Sequence, residues 1–198
     1  MDNIIILAST SKGRAKVCWD AGLQIDLGVD AGVNEDIIKS EMIDKSASAI
    51  ALKLSKLKAL SVSKKNPEAY VIGGDQTLSL EGKKFDKPLT TEGVKKHIMT
   101  FSGKNHTLHS GICVARGGEV LWAEVFDAEM HMRELTQDFI DNYVSICGEK
   151  VKSSVGGYHF EGLGAQLFKK IGGDYFTILG LPLLPLLEFL RTEGVIAK

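Results

Sequence analysis

The chain has 198 residues, of which 44% are hydrophobic, and this suits one domain or two small lobes around one cleft. Its formal net charge of −1 gives no bulk attraction to nucleic acid or to an anionic membrane. Three widely spaced cysteines argue against a disulfide framework and favour a reducing compartment. No segment approaches the roughly 18 apolar residues of a membrane span. We therefore expect a single cytoplasmic domain over residues 1–198, with neither nucleic acid nor membrane as a partner.

The predicted elements mix strands and helices along the whole chain. Residues 4–8 predict a buried strand, followed by a Ser/Gly-rich turn and a helix from Arg14 to Ala21. The later predicted elements are a helix over 46–64, a strand ending at Gly74, a helix over 90–101, a hairpin of strands 106–115 and 119–132, a helix from Thr136 to Cys147, and a last helix with Pro182 as its first residue. This pattern predicts an α/β fold with a mixed central sheet flanked by helices.

The segment Tyr-Val-Ile-Gly-Gly-Asp-Gln-Thr, residues 70–77, carries the most chemical information. Asp75 follows two glycines at the predicted end of a strand, where a rigid element would hold its carboxylate. A hairpin-like stretch, residues 80–85, then returns Lys87 toward that strand end. A carboxylate and an ammonium close together at the end of one strand suit metal-assisted phosphoryl chemistry. On spacing alone, a surface Asp and Lys beside an ordinary turn fit the same pattern.

The first turn offers a second candidate site. Hydroxyls at residues 9–11, with Gly13 and Arg14 at a helix N-terminus, fit a phosphate chain, because the backbone N–H groups and the helix dipole favour anions. Simple capping of the helix by Ser11 explains the same residues equally well. The turn is not a Walker loop, since G-x-x-x-x-G-K-[ST] does not occur in the chain.

Other polar residues fit ordinary solvent exposure when each is taken alone. Glu35 is predicted in a loop, Lys58 on a lysine-rich helix, and Glu161 in a glycine-rich stretch where it could instead accept hydrogen bonds from a base edge. His131 and His159 stand isolated in the sequence. Neither H-E-x-x-H nor G-x-S-x-G occurs, so zinc-protease and serine-hydrolase functions lack support.

Together these segments resemble the Maf family, the septum-formation-inhibitor-like nucleoside triphosphate pyrophosphatases. The family patterns include L-A-S-x-S-P-x-R, G-[AS]-D-[TQ], K-P and Y-x-[IS]-[QE]-G. The matching segments, which cover nearly the whole chain in order, are residues 7–14, 33–35, 54–59, 73–76, 87–88, 101–106, 158–162, 173–175 and 180–182. The resemblance implies a two-lobed α/β molecule, like inosine triphosphate pyrophosphatase, with a cleft between the lobes and often a homodimer.

The chain also departs from the family pattern. Lys12 replaces a proline, and Gly13 stands where Arg or Trp is frequent, a position that the resemblance implies to affect substrate choice. Asn34 replaces an Asp, and residues 153–156 read Ser-Ser-Val-Gly in place of D-K-A-G, so that an expected lysine is missing. These departures leave the substrate preference open.

The resemblance implies hydrolysis of a nucleoside triphosphate at the α-phosphate, giving the monophosphate and pyrophosphate with Mg²⁺ or Mn²⁺. Asp75 would be the catalytic residue that orients and deprotonates the attacking water. Glu35 and Asp75 would be the protein ligands of the metal. The substrate-binding residues would be Ser11, Arg14, Lys58 and Lys87.

Gln76 and Glu161 would select the base, with Gly13 as a third specificity position. The Gln and Glu pair resembles the branch that acts on 7-methylguanosine triphosphate, whereas Thr and Gln resemble the branch that acts on dTTP and UTP. A carboxylate accepts hydrogen bonds from the two donors of the guanine edge but meets only acceptors on pyrimidine carbonyls. We therefore expect guanine-type or 7-methylguanine nucleotides to be preferred.

Two alternatives stay open from the sequence. The first is a nucleotide-binding regulator of cell division with little catalytic activity. The second is a monophosphatase or diphosphatase that releases orthophosphate. The product formed from a panel of nucleotides distinguishes all three functions.

Overall fold

The computed structural model describes residues 3–26 and 29–197. The chain divides into two compact units. Unit 1 comprises the described parts of Met1–Gln76, His109–Phe126 and Asp174–Lys198, and unit 2 comprises Thr77–Leu108 and Asp127–Gly173.

The described residues contain the following elements. The strands are β1 (Ile5–Ala8), β2 (Tyr70–Leu80), β3 (Lys83–Phe85), β4 (Asn105–Arg116), β5 (Glu119–Met132) and β6 (Phe168–Gly172). The helices are α1 (Lys12–Asp20), α2 (Glu35–Glu41), α3 (Ala47–Ser63), α4 (Thr91–Phe101), α5 (Gln137–Cys147), α6 (Tyr175–Ile178) and α7 (Leu183–Thr192), with 3₁₀ helices at Gly148–Ser153 and Leu163–Leu167.

The sheet is mixed, which confirms the predicted α/β class. Its strand order is β1-β2-β4-β5-β6, with β3 paired to β2 off this path. β1 and β2 are parallel, with Ile5 opposite Tyr70 and Ala8 opposite Gly73. The β2–β3 and β5–β6 pairs are antiparallel. Among the described residues, no helix is both long and apolar enough to cross a membrane.

Unit 1 is built around β1, whose four residues are all buried. A continuous apolar strand of this kind is typical of a parallel sheet that is covered on both faces. Leu7 of β1 and Ile72 of β2 belong to the same buried cluster as Cys18 of α1, Ile112 of β4 and Leu186 of α7. These contacts fix α1 relative to the strands.

α3 lies directly on the backbone of β2 and β4. A Cβ atom on Gly73 of β2 would overlap the carbonyl oxygen of Ser55, and one on Gly111 of β4 would overlap that of Ala51. Only glycine allows a helix backbone to approach a strand so closely. The glycines at residues 73 and 111 therefore set the height of α3, and hence of Lys58, above the sheet.

Unit 2 contains the β2–β3 hairpin and an aromatic cluster. Leu80 pairs with Lys83 across a turn in which Glu81 has φ 51° and Gly82 has φ 77°. This confirms the predicted hairpin-like stretch before Lys87. In the cluster, the buried ring of His106 stacks on Phe101 with 4.7 Å between ring centroids, and its Nε2 lies 2.6 Å from the Tyr158 hydroxyl.

Several predicted boundaries are wrong. β2 does not end at Gly74 but continues to Leu80, because the two glycines serve close packing and do not break the strand. Pro182 is the N-cap of α7 and not its first helical residue. Three short elements, α2, α6 and β6, were not predicted, and each has no more than seven residues. Such short elements carry too few residues to display a period.

Candidate active site

Three of the predicted site residues form one charged cluster in unit 1. The ammonium of Lys58 lies 2.7 Å from Oδ1 of Asp75 and 2.6 Å from Oε1 of Glu35. Lys58 comes from α3 and Asp75 from β2, and both are buried. The solvent-exposed alternative for Lys58 is therefore wrong.

The helix α2 holds Glu35 in this cluster. Glu35 is its first residue, and Asn34 caps it by accepting a hydrogen bond on Oδ1 from the N–H of Ile37 at 3.2 Å. Asn and Asp are about equally good at this position, so the replacement of the family Asp by Asn34 keeps the cap. Glu35 thus lies at the start of a short capped helix and not in a loop as predicted.

Arg14 joins the cluster from the first turn of α1. Its Nε donates a hydrogen bond to the carbonyl of Gly180 at 2.7 Å, and its Nη1 donates to Oγ of Ser9 at 3.2 Å. A Cβ atom on Gly74 would lie 3.2 Å from Cδ and Nε of the arginine, so the second glycine before Asp75 makes room for this side chain. Ser11 caps α1, because its Oγ accepts from the N–H of Arg14 at 3.4 Å.

Burial and charge set the protonation of this cluster. Burial raises the pKa of the Asp75 carboxyl, and the positive charges of Lys58 and Arg14 offset part of that rise. Burial also lowers the pKa of Arg14, against the attraction of Asp75 and Glu35. A carboxylate whose pKa is raised toward neutrality is a better proton acceptor in catalysis than one at its usual pKa.

Gln76 is held by hydrogen bonds within unit 1. Its Nε2 lies 2.9 Å from Oγ of Ser110, 3.0 Å from the carbonyl of Thr177 and 3.1 Å from that of Ile178. Carbonyl oxygens only accept hydrogen bonds, so the amide nitrogen must be the end that faces them. The Oε1 atom, an acceptor, is therefore the end of Gln76 that can meet a ligand.

The remaining predicted site residues are Lys87, Glu161 and Gly13. Lys87 and Glu161 belong to unit 2, where both are exposed, and Lys87 follows β3. Gly13 is the second residue of α1, and a Cβ atom there would meet only Ser11 Oγ, at 3.8 Å. A larger side chain at residue 13 thus has room.

His159, which stands isolated in the sequence, has polar neighbours in the structure. Its Nδ1 lies 3.6 Å from Oε1 of Glu161, and its Nε2 lies 3.1 Å from Oγ of Ser153. Residues 159 and 161 are close in sequence, but nothing in the pattern indicated which face of the glycine-rich stretch each would occupy. The contacts of Gly180 with Arg14 and of Ser110 with Gln76 were not predicted, because each joins residues that are far apart in the chain.

The donor set of the cluster fits a hard divalent cation. Glu35 and Asp75 each place one carboxylate oxygen against the Lys58 ammonium, so the two carboxylates lie on either side of one cation. Oxygen ligands are what Mg²⁺ and Mn²⁺ prefer, and Mg²⁺ commonly uses one or two carboxylates together with water and phosphate oxygens. Among residues 3–26 and 29–197, no group of three or more His, Cys, Asp or Glu side chains could hold a metal. A metal here would need ligands from outside the protein.

Comparison with known proteins places the chain in a family. Residues 4–193 match the Maf-like protein family, so the chain belongs to that family and the predicted membership is confirmed. A protein of Hyphomonas neptunium called nucleoside triphosphate pyrophosphatase is 46% identical over 99% of both chains. Proteins called 7-methyl-GTP pyrophosphatase are 46% identical in Mesorhizobium japonicum, over 99% of both chains, and 44% identical in Brucella suis, over 97% of both.

Proposed function

We propose that this protein hydrolyses a nucleoside triphosphate at the α-phosphate, releasing the monophosphate and pyrophosphate. The observation that carries the proposal is the buried carboxylate of Asp75 beside Lys58 and Arg14. This arrangement combines a base of raised pKa with cations that can face phosphate oxygens. The names of the family members that resemble the chain over its full length agree with this activity.

In this mechanism Asp75 orients a water molecule and takes its proton as the water attacks phosphorus. Arg14 is already held in place by Gly180 and Ser9, so its remaining guanidinium N–H groups can donate to the phosphate chain without losing side-chain freedom. Lys58 exchanges part of its contact with the two carboxylates for the developing charge on the leaving pyrophosphate. The substrate-binding residues of the proposal are Ser11, Arg14, Lys58 and Lys87.

We propose Mg²⁺ or Mn²⁺ as the cofactor, held by Glu35 and Asp75. The charges of Arg14 and Lys58 cancel those of the two carboxylates, so the cluster alone offers no net attraction to a triphosphate. A divalent cation supplies that charge and neutralises phosphate oxygens.

Chelator should abolish activity, and Glu35→Gln should raise the metal concentration for half-maximal rate. Asp36→Asn, an exposed neighbour on α2, is the matched control, and equal titrations for the two variants would remove Glu35 from the metal site.

We propose a guanine-type base, 7-methylguanine included, as the preferred base. The amide of Gln76 is fixed with Oε1 as the end that can meet a ligand, and Glu161 is a carboxylate. Two acceptors suit the N–H donors of a guanine edge, and a carboxylate also favours the positive charge of an N7-methylated base.

From the family resemblance alone, we further propose a cytoplasmic homodimer in which residues 1–198 act as one domain.

One product assay tests this function. Purified protein with Mg²⁺ or Mn²⁺ is given a panel of triphosphates that includes GTP, 7-methyl-GTP, dTTP and UTP, and pyrophosphate and orthophosphate are measured separately. We expect pyrophosphate, released fastest from a guanine-type nucleotide. Orthophosphate as the first product would indicate a monophosphatase or diphosphatase. Binding without any product would indicate the regulatory alternative.

A further inference from the structure

His159 is surrounded by acceptors within unit 2. Its Nε2 lies 3.0 Å from the carbonyl oxygen of Lys150, in the 3₁₀ helix Gly148–Ser153. Its Nδ1 lies 3.6 Å from a carboxylate oxygen of Glu161. The side chains of His159 and Glu161 are 39% and 44% exposed, so the pair sits at the surface with one side covered.

These contacts favour a proton on both nitrogens of the ring. A carbonyl oxygen only accepts, so Nε2 carries a proton when it bonds with Lys150, and the carboxylate of Glu161, 3.6 Å from Nδ1, attracts positive charge on the ring. In agreement, the interaction with Glu161 raises the pKa of His159, and the same interaction lowers the pKa of Glu161.

The other charged and titratable groups around the pair leave the pKa of His159 raised. Burial and the positive charge of Lys150 lower the pKa of His159, whereas Glu161, the largest contribution, and the hydrogen bond to the Lys150 carbonyl raise it, so that the pKa is raised on balance. Tyr143 of α5 also faces Glu161, and burial raises its own pKa well above the usual value, so it stays neutral. The ion pair is therefore the dominant interaction of both side chains.

The same geometry excludes a hydrolytic triad of Ser153, His159 and Glu161. The hydroxyl of Ser153 donates to the carbonyl of Lys150 at 2.7 Å. Nε2 of His159 faces that same carbonyl with its proton, so it has no lone pair to remove a proton from the serine. The histidine acts on Glu161 and not on Ser153.

We propose that His159, as an imidazolium, is a positioning residue for base selection, which holds the Glu161 carboxylate ionised and in one orientation for the donor edge of a guanine-type base. This inference rests on the proposed function and on the assignment of Glu161 to the base. Without a partner, an exposed glutamate would lose rotamer freedom on binding the base, and that entropy would weaken selection. The ion pair with His159 orders the Glu161 side chain before the nucleotide binds.

The pair is tested first without nucleotide. NMR titration of the His159 ring should give a pKa above the ordinary value of about 6.5, and Glu161→Gln should lower it. The matched control is His131, whose Nε2 lies 3.4 Å from Glu129 on β5, and whose titration Glu161→Gln should leave unchanged. A His159 pKa that does not respond to Glu161→Gln would overturn the inference.

Base selection is tested next, as the ratio of kcat/KM for the best guanine-type nucleotide to that for dTTP. His159→Gln keeps an N–H donor for Lys150 but removes the charge, and should lower this ratio about two- to fivefold, the range for a partly exposed ion pair. The loss should appear in KM for the guanine nucleotide. His131→Gln should leave the ratio unchanged, and a permanent cation in His159→Lys should restore it.

The pH dependence separates positioning from a structural role. In the wild type the ratio should fall as pH rises through the His159 pKa, because the imidazolium is lost, and in His159→Lys it should stay level over that range. A ratio that Glu161→Gln changes but His159→Gln does not would overturn this inference alone. No pyrophosphate from any nucleotide would overturn the proposed function and this inference together.

Discussion

The two units hold their charged pairs in contrasting ways. In unit 1 the side chains of Lys58 and Asp75 are 11% and 8% exposed and lie 2.7 Å apart. In unit 2 the His159–Glu161 pair is 39% and 44% exposed, with 3.6 Å between its nearest charged atoms. Burying charges is costly unless each is paired, whereas a surface pair contributes little either way. A buried cluster thus suits a fixed chemical step, and an exposed pair suits adjustable selection.

The largest effect should come from the buried carboxylate. Asp75→Asn keeps the shape of the side chain but removes the base and weakens a metal ligand, so the hydrolysis rate should fall about 10²–10⁴-fold. Nucleotide binding, measured by calorimetry, should persist. Asp20→Asn, an exposed partner of Lys16 on α1, should retain wild-type rate. Activity of Asp75→Asn above about a tenth of wild type would contradict a role for Asp75 as a base.

Lys58 gives the next largest effect, on stability. Lys58→Met leaves two carboxylates without their shared cation, and breaking a buried pair in this way costs about 3–5 kcal/mol. Because burial already raises the pKa of Asp75, protonation should relieve this cost, so the loss should shrink as the pH falls. Denaturant unfolding at several pH values measures both effects.

The matched surface pair provides the control for Lys58. Lys16 and Asp20 of α1 are 72% and 63% exposed. Lys16→Met should therefore change the free energy of unfolding by less than about 0.5 kcal/mol at any pH. If the two lysine variants lose equal stability, burial is not what distinguishes the cluster in unit 1.

The sequence predicted the long elements because their signals are local. The hairpin of β4 and β5 follows from alternation around Gly117 and Gly118, and α4 and α5 follow from threonine caps. The extent of β2 was missed, because Gly73 and Gly74 look like a strand end until α3 and Arg14 are packed against them. The sequence alone does not distinguish a glycine that permits close packing from a glycine that ends a strand.

The sequence predicted which residues belong to the site but not the contacts between them. The family pattern selected Asp75, Lys58 and Glu35, which the structure brings together in unit 1. Spacing could not show that Lys58 bridges both carboxylates, or that Gly180 fixes Arg14 from 166 residues away. The roles of Lys87 and Glu161, both in unit 2, stay predictions.

A smaller effect is expected at Lys87, the exposed residue after β3. Lys87→Ala should lower kcat/KM by more than about tenfold, because a charge-assisted contact to phosphate contributes about 1.5–3 kcal/mol. Lys83→Ala, an exposed lysine on the same hairpin, should change kcat/KM little. Equal losses in steady-state kinetics would mean that only the general positive charge of this segment matters. A loss at Lys87 alone would support the proposed contact of this residue with phosphate.

The smallest effect should separate two glycines, one within the first turn of α1 and one just after its end. Gly13 is the second helical residue, and a methyl group there meets nothing closer than 3.8 Å, so Gly13→Ala should raise the free energy of unfolding by about 0.5–1 kcal/mol. Gly22 follows the same helix with φ 77°, and Gly22→Ala should lower stability by about 1–2 kcal/mol although its surroundings are open. Both are measured by urea unfolding. A loss of stability in Gly13→Ala would show that the turn before α1 needs a glycine backbone, and that a larger residue is excluded there by conformation and not by lack of space.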